Sequence, residues 1–219
     1  MTDEHVDIVR AGYDAMAERH LRWIDEIEGD PRLRFLGELD RRLADGSDVV
    51  DLGCGAGVPC TARLAERHRV LGVDISSAQL DLARRLVPAA RFVQADIATF
   101  DLPAGGLDAV TAFYSLTHVP RDRHAEVLGR IRRWLRPGGR LLATFSVGGT
   151  TDGVQDEFLG VPMFFSGFDA GTNRRLVSAA GFATLIDEVV TMHEPEGSAT
   201  FLWILAEAPS DVTRADPRR

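Results

Sequence analysis

The sequence predicts an α/β domain, a parallel sheet with helices covering both faces. Three observations predict it. Five short runs rich in branched or aromatic residues recur between residues 49 and 146. Helix-patterned stretches separate them, which implies right-handed crossovers between parallel strands. The 219 residues, 45% hydrophobic, give one sizeable core and are short for two.

Residues 3–44 pattern as helix with one break. Ile8, Val9, Tyr13 and Met16 fall at helical spacing, as do Trp23, Ile24 and Ile27. "EGDP" at 28–31 ends one helix, and Pro31 is placed to open the next. The strand-like runs are "VVDLG" (49–53), "RVLGVD" (69–74), "RFVQAD" (91–96), "LDAVTAF" (107–113) and "RLLATFS" (140–146). Helices are expected over 59–67, 76–86 and 121–135, while 97–106 has no clear pattern. Residues 147–168 are glycine-rich yet carry Phe158, Met163, Phe164, Phe165 and Phe168. A linker needs no such bulk, so the segment reads as a partly ordered lid. A helix over 169–180 precedes two strand-like runs, 183–193 and 199–207, and the "EPEGS" between them suits a hairpin. The expected organisation is one domain over 1–207, with a helical cap at 1–45, a lid-like insertion at 147–168 and a flexible tail at 208–219.

The net charge of −8 argues against a nucleic acid as main partner. Arg130, Arg132, Arg133 and Arg136 form a basic cluster, read as a solvated helix face. His5, His68 and His124 read as exposed helix residues. No run approaches ~18 apolar residues and no leader pattern opens the chain, so a cytoplasmic protein without a membrane partner is expected. Cys54 and Cys60 lack nearby histidine pairs and make a poor zinc site; reduced thiols are expected.

"VVDLGCGAGVPCTARLA" (49–65) places Gly53, Gly55 and Gly57 between a strand and a helix. Such a turn is expected to offer backbone N–H groups and a helix N-terminus to a ligand. A dinucleotide site wants G-x-G-x-x-G, but the sixth position is Val58 and the remaining glycine comes one early at Gly57. A phosphate loop fails, because no G-K-[ST] follows. The other candidate is S-adenosylmethionine, which has no phosphate. Its site needs bare backbone beside the methionine, acids ending the second and third strands for ribose and adenine, and a fourth strand leading to the acceptor. Gly53, Gly55 and Gly57 with Asp51 beneath them, Asp74, Asp96 with Ile97 to cover the adenine, and "AFYSLTH" supply these in order. Ile75, Gln79 and Phe113, adjoining these positions, complete the candidate cofactor residues.

At these residues the chain resembles the class I S-adenosylmethionine-dependent methyltransferases, and among them the small single-domain enzymes of quinone and natural-product biosynthesis. The resemblance covers about residues 6–207 and rests on "VVDLGCGAG", "VLGVDIS", "FVQADI", "LDAVTAFYSLTHV" and "LRPGGRLLATF". It implies a Rossmann-like, seven-stranded, mostly parallel sheet whose last strand, 199–207, runs antiparallel. "AGYDAMAERH" (11–20) resembles the family's entry segment, which implies that Tyr13 closes the methionine end. Where the motif often has a second tyrosine this chain has His20, whose role stays open.

The resemblance implies methyl transfer to a small organic acceptor, with an oxygen or nitrogen nucleophile on a secondary metabolite. The protein must align the acceptor lone pair with the S–CH3 bond and exclude water. A hydroxyl acceptor would gain from a base near neutral pKa, for which His118 and then Tyr114 are the candidates just past the fourth strand, with His193 behind them. Family members often carry a histidine at this place that orders the loop, and that reading of His118 stands beside the first. No carboxylate follows the fourth strand, so no metal is expected. A monomer or homodimer is expected. Two alternatives remain: an S-adenosylmethionine-binding protein with a non-methylating reaction, and a nicotinamide oxidoreductase.

Overall fold

The computed structural model describes residues 4–148 and 151–209. The chain opens with α1 (Glu4–Asp25) and α2 (Arg32–Asp40), broken at the predicted place. Then follow β1 (Asp48–Leu52), α3 (Cys60–Ala65), β2 (Arg69–Asp74), α4 (Ser77–Leu86), β3 (Arg91–Gln94), β4 (Leu107–Ala112), α5 (His124–Trp134) and β5 (Leu135–Ser146). The last elements are β6 (Thr151–Phe158), β7 (Val161–Gly167), α6 (Ala170–Ala179), β8 (Ala183–Glu194) and β9 (Gly197–Glu207).

Seven strands form one sheet in the order β3-β2-β1-β4-β5-β9-β8. The pairs from β3 across to β5 are parallel, and β9 is antiparallel to both β5 and β8. This is the expected mostly parallel sheet with an antiparallel last strand. The central strands are apolar on both faces because both are covered. Val50, Leu52, Val110 and Leu141 pack toward Leu128, Ile131 and Trp134 of α5. Val49, Ala109 and Leu142 pack toward Phe35 and Leu39 of α2 and Leu64 of α3. Phe35 stacks on Trp203 of β9 at 4.5 Å between ring centroids, which fixes α2 on that face.

Several expectations are corrected. Within the segment expected to be a lid-like insertion, β6 and β7 form a separate antiparallel hairpin rather than a partly ordered stretch. Met163 and Phe164 of β7 are fully buried in a cluster with Val9 and Met16 of α1. A Cβ at Gly12 of α1 would lie 2.7 Å from the Met163 side-chain end and 3.2 Å from the Pro162 carbonyl, so a larger residue would have to push Met163 aside. β5 begins at Leu135, five residues before the predicted 140, because Leu135 pairs with Leu107 ahead of a register shift. Ala208 is still core, fully buried and paired in both directions with the Gly138–Gly139 turn, so the tail does not begin at 208. Residues 210–219 of the expected tail lie outside the described residues.

The polar surface expectations also change. Arg130 is buried and bonds the Ala98 carbonyl, Arg132 holds the Gly181 and Pro209 carbonyls, and Arg133 and Arg136 pair with Asp101 and Asp108. Arg133 and Arg136 are exposed, as a solvated face requires, while Arg130 is buried and ties α5 to the segment after β3. His68 is buried against Asp40, His124 is buried on the Val119 carbonyl, and His5 stacks on Phe164 at 4.1 Å. Helical spacing alone could not show that Asp40 of α2, the loop after β4 and β7 would meet His68, His124 and His5.

Candidate active site

A cavity of about 480 Å³ opens at the carboxyl ends of β1, β2 and β4, roofed by α1 and the β6–β7 hairpin. Its size lies within the ~300–1,000 Å³ range of small-molecule sites. This is where a doubly wound sheet binds ligands.

Gly53, Gly55 and Gly57 all have positive φ, between 53° and 79°, the left-handed backbone that favours glycine. A Cβ at Gly53 would collide with Ser115, whose hydroxyl donates to the Leu52 carbonyl at 2.8 Å. Most N–H groups of this turn are not free, contrary to the sequence expectation, that of Ala56 being the exception. Those of Gly53 and Cys54 donate to the Val73 carbonyl, that of Gly55 to Asp74 Oδ2 at 2.8 Å, and that of Gly57 to the Cys54 carbonyl. The turn therefore offers room for a ligand rather than a nest for an anion. The helix behind it, α3, is only six residues long.

Three aspartates face the cavity. Asp51 is buried and accepts from Thr61 at 2.5 Å and Thr111 at 2.8 Å; burial pushes its carboxyl up. Asp74 accepts from the N–H groups of Gly55 and Ser76, and burial still lifts it to about 6. Asp96 lies just beyond β3, which stops at Gln94 and not at the predicted 96; its Oδ1 caps the Ala98 N–H. Ile75, Ile97 and Phe113 line the same cavity. Gly57 and Gln79 do not: Gln79 is buried under α1, its amide 3.2 Å from His20 Nδ1.

α1 supplies the roof. Asp14 accepts from Ser76 Oγ at 2.6 Å and from the Ala78 N–H at 3.0 Å, fastening α1 to the N-terminus of α4. That sets Tyr13 and His20 over the cavity. The Tyr13 hydroxyl lies 2.8 Å from His118 Nε2, and His118 Nδ1 lies 2.8 Å from the Phe164 carbonyl. A carbonyl only accepts, so the ring carries its proton on Nδ1 and Nε2 accepts from the phenol. Burial lowers His118 to about 4, so the ring is neutral at pH 7 with both nitrogens engaged. His20 is likewise lowered to about 4 by burial, with Arg32 adding to it.

Tyr114 adopts φ 56°, rare for a residue with a side chain, at the loop after β4. Its N–H donates to Thr144 at 2.6 Å, and its hydroxyl reaches Asp30 and Met192 Sδ, both at 3.4 Å. Burial, reinforced by Asp30, pushes its phenol up, so it stays protonated. His193 does not line the cavity; it is exposed, 3.1 Å from the Ser198 hydroxyl. Sequence reasoning missed Trp23, Arg32, Glu194, Glu196 and Phe201, which α1, α2 and the β8–β9 hairpin bring to the cavity. No motif marks them, since each arrives by tertiary packing alone. Among the described residues no group of three or more His, Cys, Asp or Glu is arranged to hold a metal ion, and no helix is long and apolar enough to cross a membrane.

Residues 49–139 match the family model described as a methyltransferase domain. The chain is 39% identical over 129 residues to a trans-aconitate 2-methyltransferase of Azoarcus sp. (strain BH72), covering 57% of this chain and 47% of that protein. It thus spans about half the length of the curated relatives it matches. Among solved structures it resembles the 1,6-didemethyltoxoflavin-N1-methyltransferase of Burkholderia thailandensis, with TM-score 0.72 and 23% identity over 94% of this chain and 90% of that one. It also resembles the [4+2]-cyclase SpnF, with TM-score 0.67 and 18% identity over 91% and 95%. At these identities the structural likeness concerns the fold.

Proposed function

We propose that the protein is an S-adenosylmethionine-dependent methyltransferase acting on a small organic acceptor through an oxygen or nitrogen nucleophile. The carrying observation is the sign of the cleft. The turn at 53–57 has the N–H groups of Gly53, Cys54, Gly55 and Gly57 satisfied internally, and Asp51, Asp74 and Asp96 line the space beyond it. A pyrophosphate would meet three carboxylates there against the N–H of Ala56 alone, which weighs against the nicotinamide reading. A ligand bearing a sulfonium, an ammonium and ribose hydroxyls would meet acceptors of the right charge. The residues present fit that cofactor.

When bound, S-adenosylmethionine supplies a methyl group already activated as a sulfonium. The chain's part is to hold and orient. Asp74 is the acceptor for the ribose hydroxyls and Asp96 for the adenine amino group, with Ile75 and Ile97 as apolar walls. Gly53 and Gly55 leave room at the methionine end, which Tyr13 covers. Tyr13, His118 and the Phe164 carbonyl form a string from α1 through the loop after β4 to the β6–β7 hairpin. A neutral His118 with both nitrogens used supports a positioning role rather than general-base catalysis. The aromatic lining suits a flat or lipidic acceptor, as in quinone or natural-product chemistry.

The fold also carries a [4+2]-cyclase, so binding of the cofactor without methyl transfer is the second reading. Cofactor labelled in its methyl group separates the two. The expected outcome is label in a small organic product from an acceptor panel. Bound cofactor with no label transferred to any acceptor would favour the second reading.

A further inference from the structure

Beyond the aspartates, the cavity has a second half built by three elements that sequence reasoning did not connect. Trp23 of α1, Phe158 and Phe165 of the β6–β7 hairpin, and Phe201 of β9 give it aromatic walls. Its charges are unequal. Arg32 is the single Lys or Arg among the lining residues, and it is committed: its Nε bonds Asp30 at 2.5 Å and its guanidinium lies 5.5 Å from the Tyr114 ring centroid. His20 and His118 are held neutral. Against them stand Glu157, Glu194 and Glu196.

Glu194 is the distinctive member. It is half-buried at the end of β8, and among the described residues no side chain donates to its carboxylate. Glu196, two residues on, is occupied by the Trp23 indole N–H at 2.7 Å, which fixes that ring as a wall beside Glu194. Burial and then Glu196 raise Glu194, which lines the same cavity as Tyr13 and Asp74.

We propose that Glu194 is a specificity residue that receives the N–H of a flat aryl or heteroaryl amine acceptor, and that this half of the cavity rejects polycarboxylates. The inference rests on the methyltransferase reading. The acceptor lies between the aromatic walls with its nitrogen toward the cofactor. Its lone pair forms the N–CH3 bond, and the S–CH3 bond breaks with its electron pair left on sulfur. The proton released from nitrogen passes to the Glu194 carboxylate and on to water. A tricarboxylate such as the trans-aconitate named for the relatives would face three glutamates and no uncommitted cation.

The test is calorimetry on the full chain, first titrated with S-adenosylhomocysteine and then, at saturation, with 4-aminoquinoline, 2-aminobenzimidazole and trans-aconitate. The expected result is binding of at least one amine, weakened about tenfold or more in Glu194→Gln, the loss of one charge-assisted hydrogen bond, and no heat from trans-aconitate. Loaded protein that binds trans-aconitate, binds neither amine, or binds them equally well as Glu194→Gln overturns the inference alone. Protein that takes up no S-adenosylhomocysteine overturns the cofactor reading and this inference with it.

Discussion

Asp74 shows how one side chain sets conditions for the whole site. Its oxygens hold the N–H groups of Gly55 and Ser76, yet burial leaves its carboxyl at about 6. The unfolded value is ~3.9. Because the folded value lies above it, the ligand-free fold gains from this group when protonated, and that gain fades as pH rises from ~4 through 6. Cofactor binding runs the other way, since ribose hydroxyls need an ionised acceptor. Affinity for S-adenosylhomocysteine should therefore be full above pH 7 and fall as pH drops through about 6, read by calorimetry. Asp74→Ala should weaken it by about 1.5–3 kcal/mol or more at pH 8, since the Gly55 N–H also loses its partner. His118 gives a second prediction at this scale. With Nε2 taken by Tyr13 and its pKa near 4, His118→Ala and Tyr13→Phe should lower stability and cofactor affinity together. A positioning role leaves the shape of the pH–rate profile between 6 and 7 unchanged in His118→Ala. Disappearance of a rise across that window would restore the general base.

At the scale of elements, the central crossover strands were legible because they are short apolar runs buried on both faces, as with "VVDL" at 49–52. The β6–β7 hairpin was not. Residues 152–157 are polar or exposed, three of them acidic, and β6 exists because β7 pairs with it while α1 buries Met163 and Phe164. That dependence is testable. Phe164→Ala should cost about 3–5 kcal/mol, the range for emptying a buried aromatic site. Gly12→Val should cost about 1–3 kcal/mol by overpacking Met163, and should reduce hydrogen-exchange protection selectively over 151–167. Cofactor binding should raise protection over the same residues, because Tyr13 and His118 tie the hairpin to the roof. Equal protection with and without ligand would count against the hairpin acting as a lid.

For the whole molecule, the sheet and the cofactor-side acids could be read from order and spacing, since a strand–turn–helix repeat places strand ends along one edge. The acceptor side could not. Arg32 sits far in sequence from Glu194 and Phe201, and they line one cavity only because α2 and the β8–β9 hairpin both reach it. The use of the turn's N–H groups was equally hidden, because Val73 and Asp74 on the neighbouring strand take them. That detail now bears on the choice between cofactors for the intact protein. A ligand that binds only the folded state stabilises it by about 2.7 kcal/mol at a hundred times its Kd. For a chain of this size each kcal/mol moves Tm by roughly 2–4 °C. S-adenosylhomocysteine at that excess should therefore raise Tm by about 5–11 °C. NAD at the same concentration should leave it unmoved, because its pyrophosphate would face Asp51, Asp74 and Asp96 while four of the turn's N–H groups are already taken. The converse result, a shift with NAD and none with S-adenosylhomocysteine, would mean that the turn opens to release its N–H groups and that the cofactor assignment is wrong.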